Sequence, residues 1–237
     1  MTSLKDKRVL VVGGSSGIGL GVAAKAIAAG ADLTIASRSQ PKLQAAAAEL
    51  GGAVQIAVLD TGNAEGVEAF FAGTAAWDHI VISAAQTPTG PLRKLTLEDA
   101  MRAMESKFWG AYRIARAAKF SEHGSLTFIS GFLSVRPSAS SVLQGAINAA
   151  LEALARGLAL ELSPVRVNAV SPGLIDTPLW SKMEETARKA MFERVAQTLP
   201  AKTIGTGEDI ANAVLFLLET PFATGSTVRV DGGGAIA

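Results

Sequence analysis

The sequence predicts one α/β domain built on a doubly wound, parallel, seven-stranded sheet. Three observations carry that expectation. Short runs rich in Val, Ile and Leu alternate with longer Ala-rich stretches along the whole chain. The runs lack polar–apolar alternation, as in parallel strands covered on both faces. The first run ends in a glycine-rich turn, VLVVGGSSGIG, that opens directly into an Ala-rich stretch. With 237 residues and a 49% hydrophobic fraction, one large domain with a substantial core is expected.

Taken in order, strands are predicted at 8–12, 32–36, 53–59, 79–83, 125–130, 165–170 and 227–230. Each is a short, β-branched apolar run bounded by polar or glycine positions. Helices are predicted between them at 17–29, 41–50, 64–73, 97–119, 142–162 and 207–218. Thr96 with Asp99, and Thr206 with Asp209, have capping-box spacing and mark two helix starts. Strand–helix alternation implies right-handed crossovers, and sites in such sheets sit at the carboxyl ends of the strands. Residues 171–206 fall outside the rhythm and form a candidate lid, with Leu179, Trp180, Met183, Met191 and Phe192 as an apolar pocket wall.

The bulk chemistry excludes several classes. Net charge is +1 without a basic block, so nucleic acid and membrane are not expected partners. The chain has no cysteine and only two histidines, which sets aside disulfides, a metal centre and a Ser-His-Asp arrangement. His79 and His123 are expected at the far end of the sheet, in structural or solvent-facing roles. The N-terminal apolar run is too short for a signal peptide, and no segment reaches membrane-span length, so a cytoplasmic protein is expected.

The strand ends hold the candidate site. Gly13, Ser15, Ser16, Gly17, Ile18 and Gly19 form a turn whose backbone N–H groups and following helix N-terminus suit a pyrophosphate. After the second strand stand Ser37, Arg38 and Ser39, where a ribose diol would call for a carboxylate. A guanidinium there suits a 2′-phosphate, so NADP(H) is expected; the bland alternative is a solvated loop arginine. Asp60 and Thr61, after the third strand, suit an adenine amino group or a helix cap.

With these residues in place, the chain resembles the short-chain dehydrogenase/reductase family, a set of Rossmann-fold oxidoreductases, over nearly its whole length. The glycine turn is similar to the family's TGxxxGxG, with Val12 in place of Thr. Ser83, Ala84 and Ala85 stand where the family has Asn-Asn-Ala-Gly, a degenerate match. VRVNAVSPGLIDTP resembles the family's Pro-Gly motif, which implies that Pro172, Gly173, Ile175 and Thr177 line the nicotinamide; VRVDGGG is a typical ending. The resemblance also implies a Ser, a Tyr-x-x-x-Lys pair and an Asn for proton delivery. Those positions fall on Gly131, Gln144, Asn148 and Lys107, and the single tyrosine, Tyr112, lies elsewhere.

An amide hydrogen-bonds a carbonyl but donates no proton at neutral pH. Replacement donors are Lys107, with a surface lysine as the alternative, and Ser130 or Ser134, with loop caps as the alternative. Substituting Gln144→Tyr together with Asn148→Lys is expected to raise carbonyl reduction. Two functions follow: an NADP(H)-dependent oxidoreductase acting on a small ketone or alcohol with non-standard proton delivery, or a catalytically inactive NADP(H)-binding sensor. A methyltransferase using the same glycine turn is disfavoured by Arg38 and the Pro-Gly motif. On the helix at 142–162, Asn148, Glu152 and Arg156 form one narrow polar stripe. The remaining apolar surface is expected to pack on another copy, giving a homo-oligomer through the helices at 97–119 and 142–162.

Overall fold

A computed structural model describes residues 4–51 and 54–237. The elements run β1 (Arg8–Val12), α1 (Gly17–Ala28), β2 (Asp32–Ser37), α2 (Gln40–Glu49), β3 (Gln55–Val58), α3 (Ala64–Ala72) and β4 (Trp77–Ile82). They continue with α4 (Leu97–Met104), α5 (Gly110–Ala117), β5 (Phe120–Ile129), α6 (Val142–Glu161) and β6 (Arg166–Pro172). The chain closes with β7 (Ile175–Asp176), α7 (Glu185–Thr198), β8 (Gly205–Thr206), α8 (Gly207–Glu219) and β9 (Thr227–Val230). The seven-stranded sheet has the order β3-β2-β1-β4-β5-β6-β9, parallel throughout. It is the doubly wound Rossmann architecture, and the order reverses between β1 and β4.

Alternation along β1 separates two cores. Val9 and Val11 pack with Val22, Ile210 and Val214 of α1 and α8. Leu10 and Val12 pack with Ile114, Leu151 and Ala155 of α5 and α6 on the other face. Burial on both faces explains why the strands read as unbroken apolar runs.

Three expectations are corrected. The helix expected at 97–119 ends at Ala117 and is interrupted by a π-turn over Glu105–Trp109. The fifth strand begins at Phe120, so His123 lies within it. The segment 171–206 begins with the last two residues of β6 and also carries β7, a 3-10 turn over Pro178–Trp180, α7 and β8. No residue of α7 is buried, so it has no apolar stripe to betray it. The polar stripe on α6 faces inward at Asn148 and Glu152, both buried, and only Arg156 is exposed. The start of the predicted third strand, Ala53, lies outside the described residues.

His79 is a structural residue, as expected. It is buried on β4, and its Nδ1 lies 2.8 Å from Ser125 Oγ. Burial, joined by the Arg166 charge, pushes its pKa down to about 4. The unfolded chain binds this proton below the usual value near 6.5, whereas the folded chain resists it until about 4. Folding stability should therefore fall by about 3 kcal/mol as pH drops from 6.5 to 4. Chemical denaturation across that window checks this, and the slope should largely vanish in His79→Leu.

Candidate active site

The carboxyl ends of the strands meet where the sheet order reverses. Gly13 (φ 88°) follows β1, and a Cβ there would fall 2.5 Å from Ala84 N. Ser83 N and Ala84 N donate to Val12 O at 2.8 and 3.1 Å, tying the β4 end to the glycine turn. Gly17 has φ 54° and comes within 3.5 Å of the Thr177 Cβ, measured from the position its own Cβ would take. Thus two motifs some 160 residues apart in sequence form one surface. The first turn of α1 holds no acidic side chain, and Ser16 makes no side-chain cap bond, which keeps its positive end free of carboxylates.

Arg38 is exposed beyond β2, with no ion pair among the described residues. Ser39 N donates to Ser37 Oγ at 3.4 Å. Asp60 accepts from Gly62 N at 3.0 Å, and Asn63 rather than Asp60 caps α3. Thr61 is buried, with its carbonyl accepting from Arg113 at 3.2 Å. On the far side, the Ile175 carbonyl accepts the Trp180 indole N–H at 3.0 Å. Pro172 and Gly173 follow in the β6 end, where Gly173 N donates to Val230 O at 2.9 Å.

Beside this surface lies a buried polar cluster. Lys107 sits in the π-turn between α4 and α5, a one-residue insertion of the kind often found at functional sites. It is only 8% exposed, so the surface-lysine alternative is excluded. Its ammonium donates to Ser130 O at 2.7 Å and to Asn148 Oδ1 at 2.6 Å. Ser130 and Ser134 are not loop caps: both hydroxyls donate to Glu152 Oε1, at 2.8 and 2.7 Å. Ser130 Oγ also lies 3.2 Å from Val170 O.

Burial pushes the Lys107 pKa down to about 8, against the smaller opposing pull of the Glu152 charge. Gln144, one turn before Asn148, is half-buried without a hydrogen-bond partner among the described residues. Gly131 explains why no serine stands at its position: a Cβ would fall 2.6 Å from Asn148 Nδ2. The structure therefore gathers Lys107, Ser130, Ser134 and Asn148 into one hydrogen-bonded group and leaves Gln144 at its edge. Glu152 was missed as a site residue. Its signal was present, because it stands in the buried register of α6 with Asn148, Leu151 and Ala155.

A family model described as enoyl-(acyl carrier protein) reductase matches residues 12–234. Among curated relatives, a short-chain dehydrogenase/reductase of an Acremonium species is 32% identical over 257 residues, covering 99% of this chain and 97% of that one. Carbonyl reductase family member 4 of Danio rerio is 29% identical, covering 96% and 98%. Among solved structures, a small-chain dehydrogenase in complex with NADPH is 33% identical with a TM-score of 0.82, covering 98% of this chain and all of that one. An NADPH-bound short chain oxidoreductase of Pseudomonas aeruginosa PAO1, described as containing an atypical catalytic center, is 26% identical with a TM-score of 0.90, covering 98% and 99%.

Proposed function

This chain belongs to the short-chain dehydrogenase/reductase family, and on that premise we propose that it is an NADP(H)-dependent oxidoreductase in which Lys107 handles the proton. NADP(H), when bound, supplies or accepts the hydride exchanged with a small ketone or alcohol. The observation that carries the reading is the Lys107 ammonium, buried and held by two fixed oxygens at the carboxyl end of the sheet. The positions where the resemblance places the family's Asn and Lys carry Lys107 and Asn148 here, so the two residue types are exchanged. An ammonium is thus kept in the site but arises from a different helix.

The residues fit the cofactor. The glycine turn Gly13–Gly19, with Ser15, Ser16 and Ile18, would hold the pyrophosphate on the carboxylate-free start of α1. Ser37, Arg38 and Ser39 would hold the 2′-phosphate, and Asp60 and Thr61 the adenine. Ser83, Ala84, Ala85 and Lys107 would meet the nicotinamide ribose side, and Pro172, Gly173, Ile175 and Thr177 the carboxamide. NADPH-bound structural relatives support NADP(H) as the cofactor.

An ammonium has three N–H groups, and two are committed to Ser130 O and Asn148 Oδ1. The third is free to protonate a carbonyl oxygen. A pKa near neutrality serves both directions, acid for reduction and base for oxidation. Gln144 orients the oxygen but gives it no proton. The 3-10 turn over Pro178–Trp180 and α7 act as the lid, where Trp180 and Phe192 already pack edge to face at 6.2 Å.

We assign the exposed apolar strip Leu97, Met101, Trp109, Tyr112 and Val142 to a homo-oligomer contact. Light scattering that gives a monomer mass would remove that part. The second function reading, a cofactor sensor, draws its support from Gln144, which has no proton to give where the family has its acid.

One screen separates the two: NADPH turnover against a panel of carbonyl compounds, beside a cofactor titration. Turnover of any carbonyl supports the oxidoreductase, and tight NADPH binding without turnover supports the sensor. In the same titration Arg38→Ala should weaken NADPH by about 1.5–3 kcal/mol, the range for hydrogen bonds to charged groups, and leave NADH nearly unchanged. Equal losses would refute the 2′-phosphate assignment.

A further inference from the structure

We infer that Glu152 is a positioning residue for proton transfer: its buried carboxylate is the counter-charge to Lys107 and fixes the hydroxyls of Ser130 and Ser134 as acceptors toward the cleft. The inference rests on the reading of Lys107 as proton donor. Glu152 lies one turn beyond Asn148 on α6 and is 8% exposed. Its Oε1 accepts hydrogen bonds from both seryl hydroxyls, and the Ser130 carbonyl accepts one from the Lys107 ammonium. Carboxylate, hydroxyls, ammonium and amide are joined through Ser130, whose hydroxyl meets Glu152 and whose carbonyl meets Lys107. Two consequences follow from the donor count. Each seryl hydroxyl has a single proton, so with that hydrogen bond given to Glu152 its oxygen has only lone pairs left for a ligand. A substrate O–H or N–H suits those oxygens, and the proton for a carbonyl is left to Lys107.

The charge balance points the same way. An isolated carboxylate with so little water around it is costly, and so is an isolated ammonium. Around Lys107, the other charges lie off the cluster. On α4 and the π-turn, Arg102 pairs with Asp99 and Glu105 with Arg113 of α5, while Glu98 and Arg116 are exposed. On α6, Arg156 and Glu161 are exposed; Glu122 and His123 occupy the opposite end of β5; the turn over Phe132–Ser134 carries no charge. Among the described residues Glu152 is the carboxylate whose charge acts on Lys107, from beyond ion-pair distance, and it favours the ammonium form.

The test is the titration of Lys107 itself, read in the cofactor-free protein by NMR of lysine labelled with ¹³C at Cε and assigned by the signal missing from Lys107→Met. Removing the carboxylate charge in Glu152→Gln should lower the Lys107 midpoint from its wild-type value by about one pH unit. The alkaline limb of turnover should move down with it. Glu152→Asp keeps the charge and should keep the midpoint. Should the amide variant not fold, Glu152→Leu, apolar and of similar volume, carries the same expectation. An unchanged midpoint in the charge-free variant overturns the inference even if Lys107→Met is inactive. A shifted midpoint beside a fully active Lys107→Met would instead overturn the donor reading and leave the electrostatic pairing standing.

Discussion

Lys107→Met is expected to lower NADPH-dependent carbonyl reduction by about 10²–10⁴-fold, the usual contribution of a positioned general acid. Methionine keeps most of the length of the side chain and removes its protons. Cofactor affinity should change much less than turnover, because the pyrophosphate turn, Arg38 and the Pro-Gly segment are untouched. The variant also strips a hydrogen bond from Ser130 O and Asn148 Oδ1 and leaves Glu152 without its counter-charge, so its melting temperature should fall. Stopped-flow turnover at a temperature where the variant is folded separates the two effects. Turnover within threefold of wild type would show that the proton comes from elsewhere.

The second large effect concerns restoring the family's own acid. From the sequence, Gln144→Tyr with Asn148→Lys looks sufficient, but the structure corrects this. Asn148 Oδ1 is 2.6 Å from the Lys107 nitrogen, so a lysine at 148 would put two ammonium groups in one buried site. Because burial already lowers the Lys107 pKa to about 8, the pair escapes its repulsion by losing one proton, which at pH 7 costs about 1.4 kcal/mol. For a domain of this size that corresponds to a melting temperature lower by about 4 °C. Adding Lys107→Asn completes the exchange and should recover both stability and carbonyl reduction. Gly131→Ser should stay costly in either background, because Gly131 has φ 157°, and with Asn148 present its Cβ also falls 2.6 Å from the amide nitrogen. Thermal melts of the double and triple variants check this, and a double variant as stable as the triple would contradict it.

Much of the fold was legible because it depends on local pattern. The strands at Arg8–Val12 and Thr227–Val230 fall where the apolar runs place them, and the glycine turn sits at the switch point. The π-turn was not legible, since one inserted residue barely disturbs a helical apolar register. That register nonetheless held a clue: Ala103, Lys107, Ala111 and Ala115 recur every four residues, and all are buried. A lysine in that stripe points inward. The stripe of Asn148, Glu152 and Arg156 did not reveal which way α6 faces, because a narrow polar stripe on an otherwise apolar helix has two solutions and only the partners choose. Those partners, Ser130 and Ser134, lie about twenty residues away in sequence, and no local pattern joins them to Glu152.

The central claim, that a buried lysine with a lowered pKa holds the transferred proton, is tested most directly by the pH dependence of kcat/KM for carbonyl reduction. Reduction needs the ammonium form, so the rate should be level below pH 7 and fall tenfold per unit above about 8, through loss of a single proton from Lys107. A profile that stays level from pH 6 to 10, in a wild type that turns over normally, would contradict it.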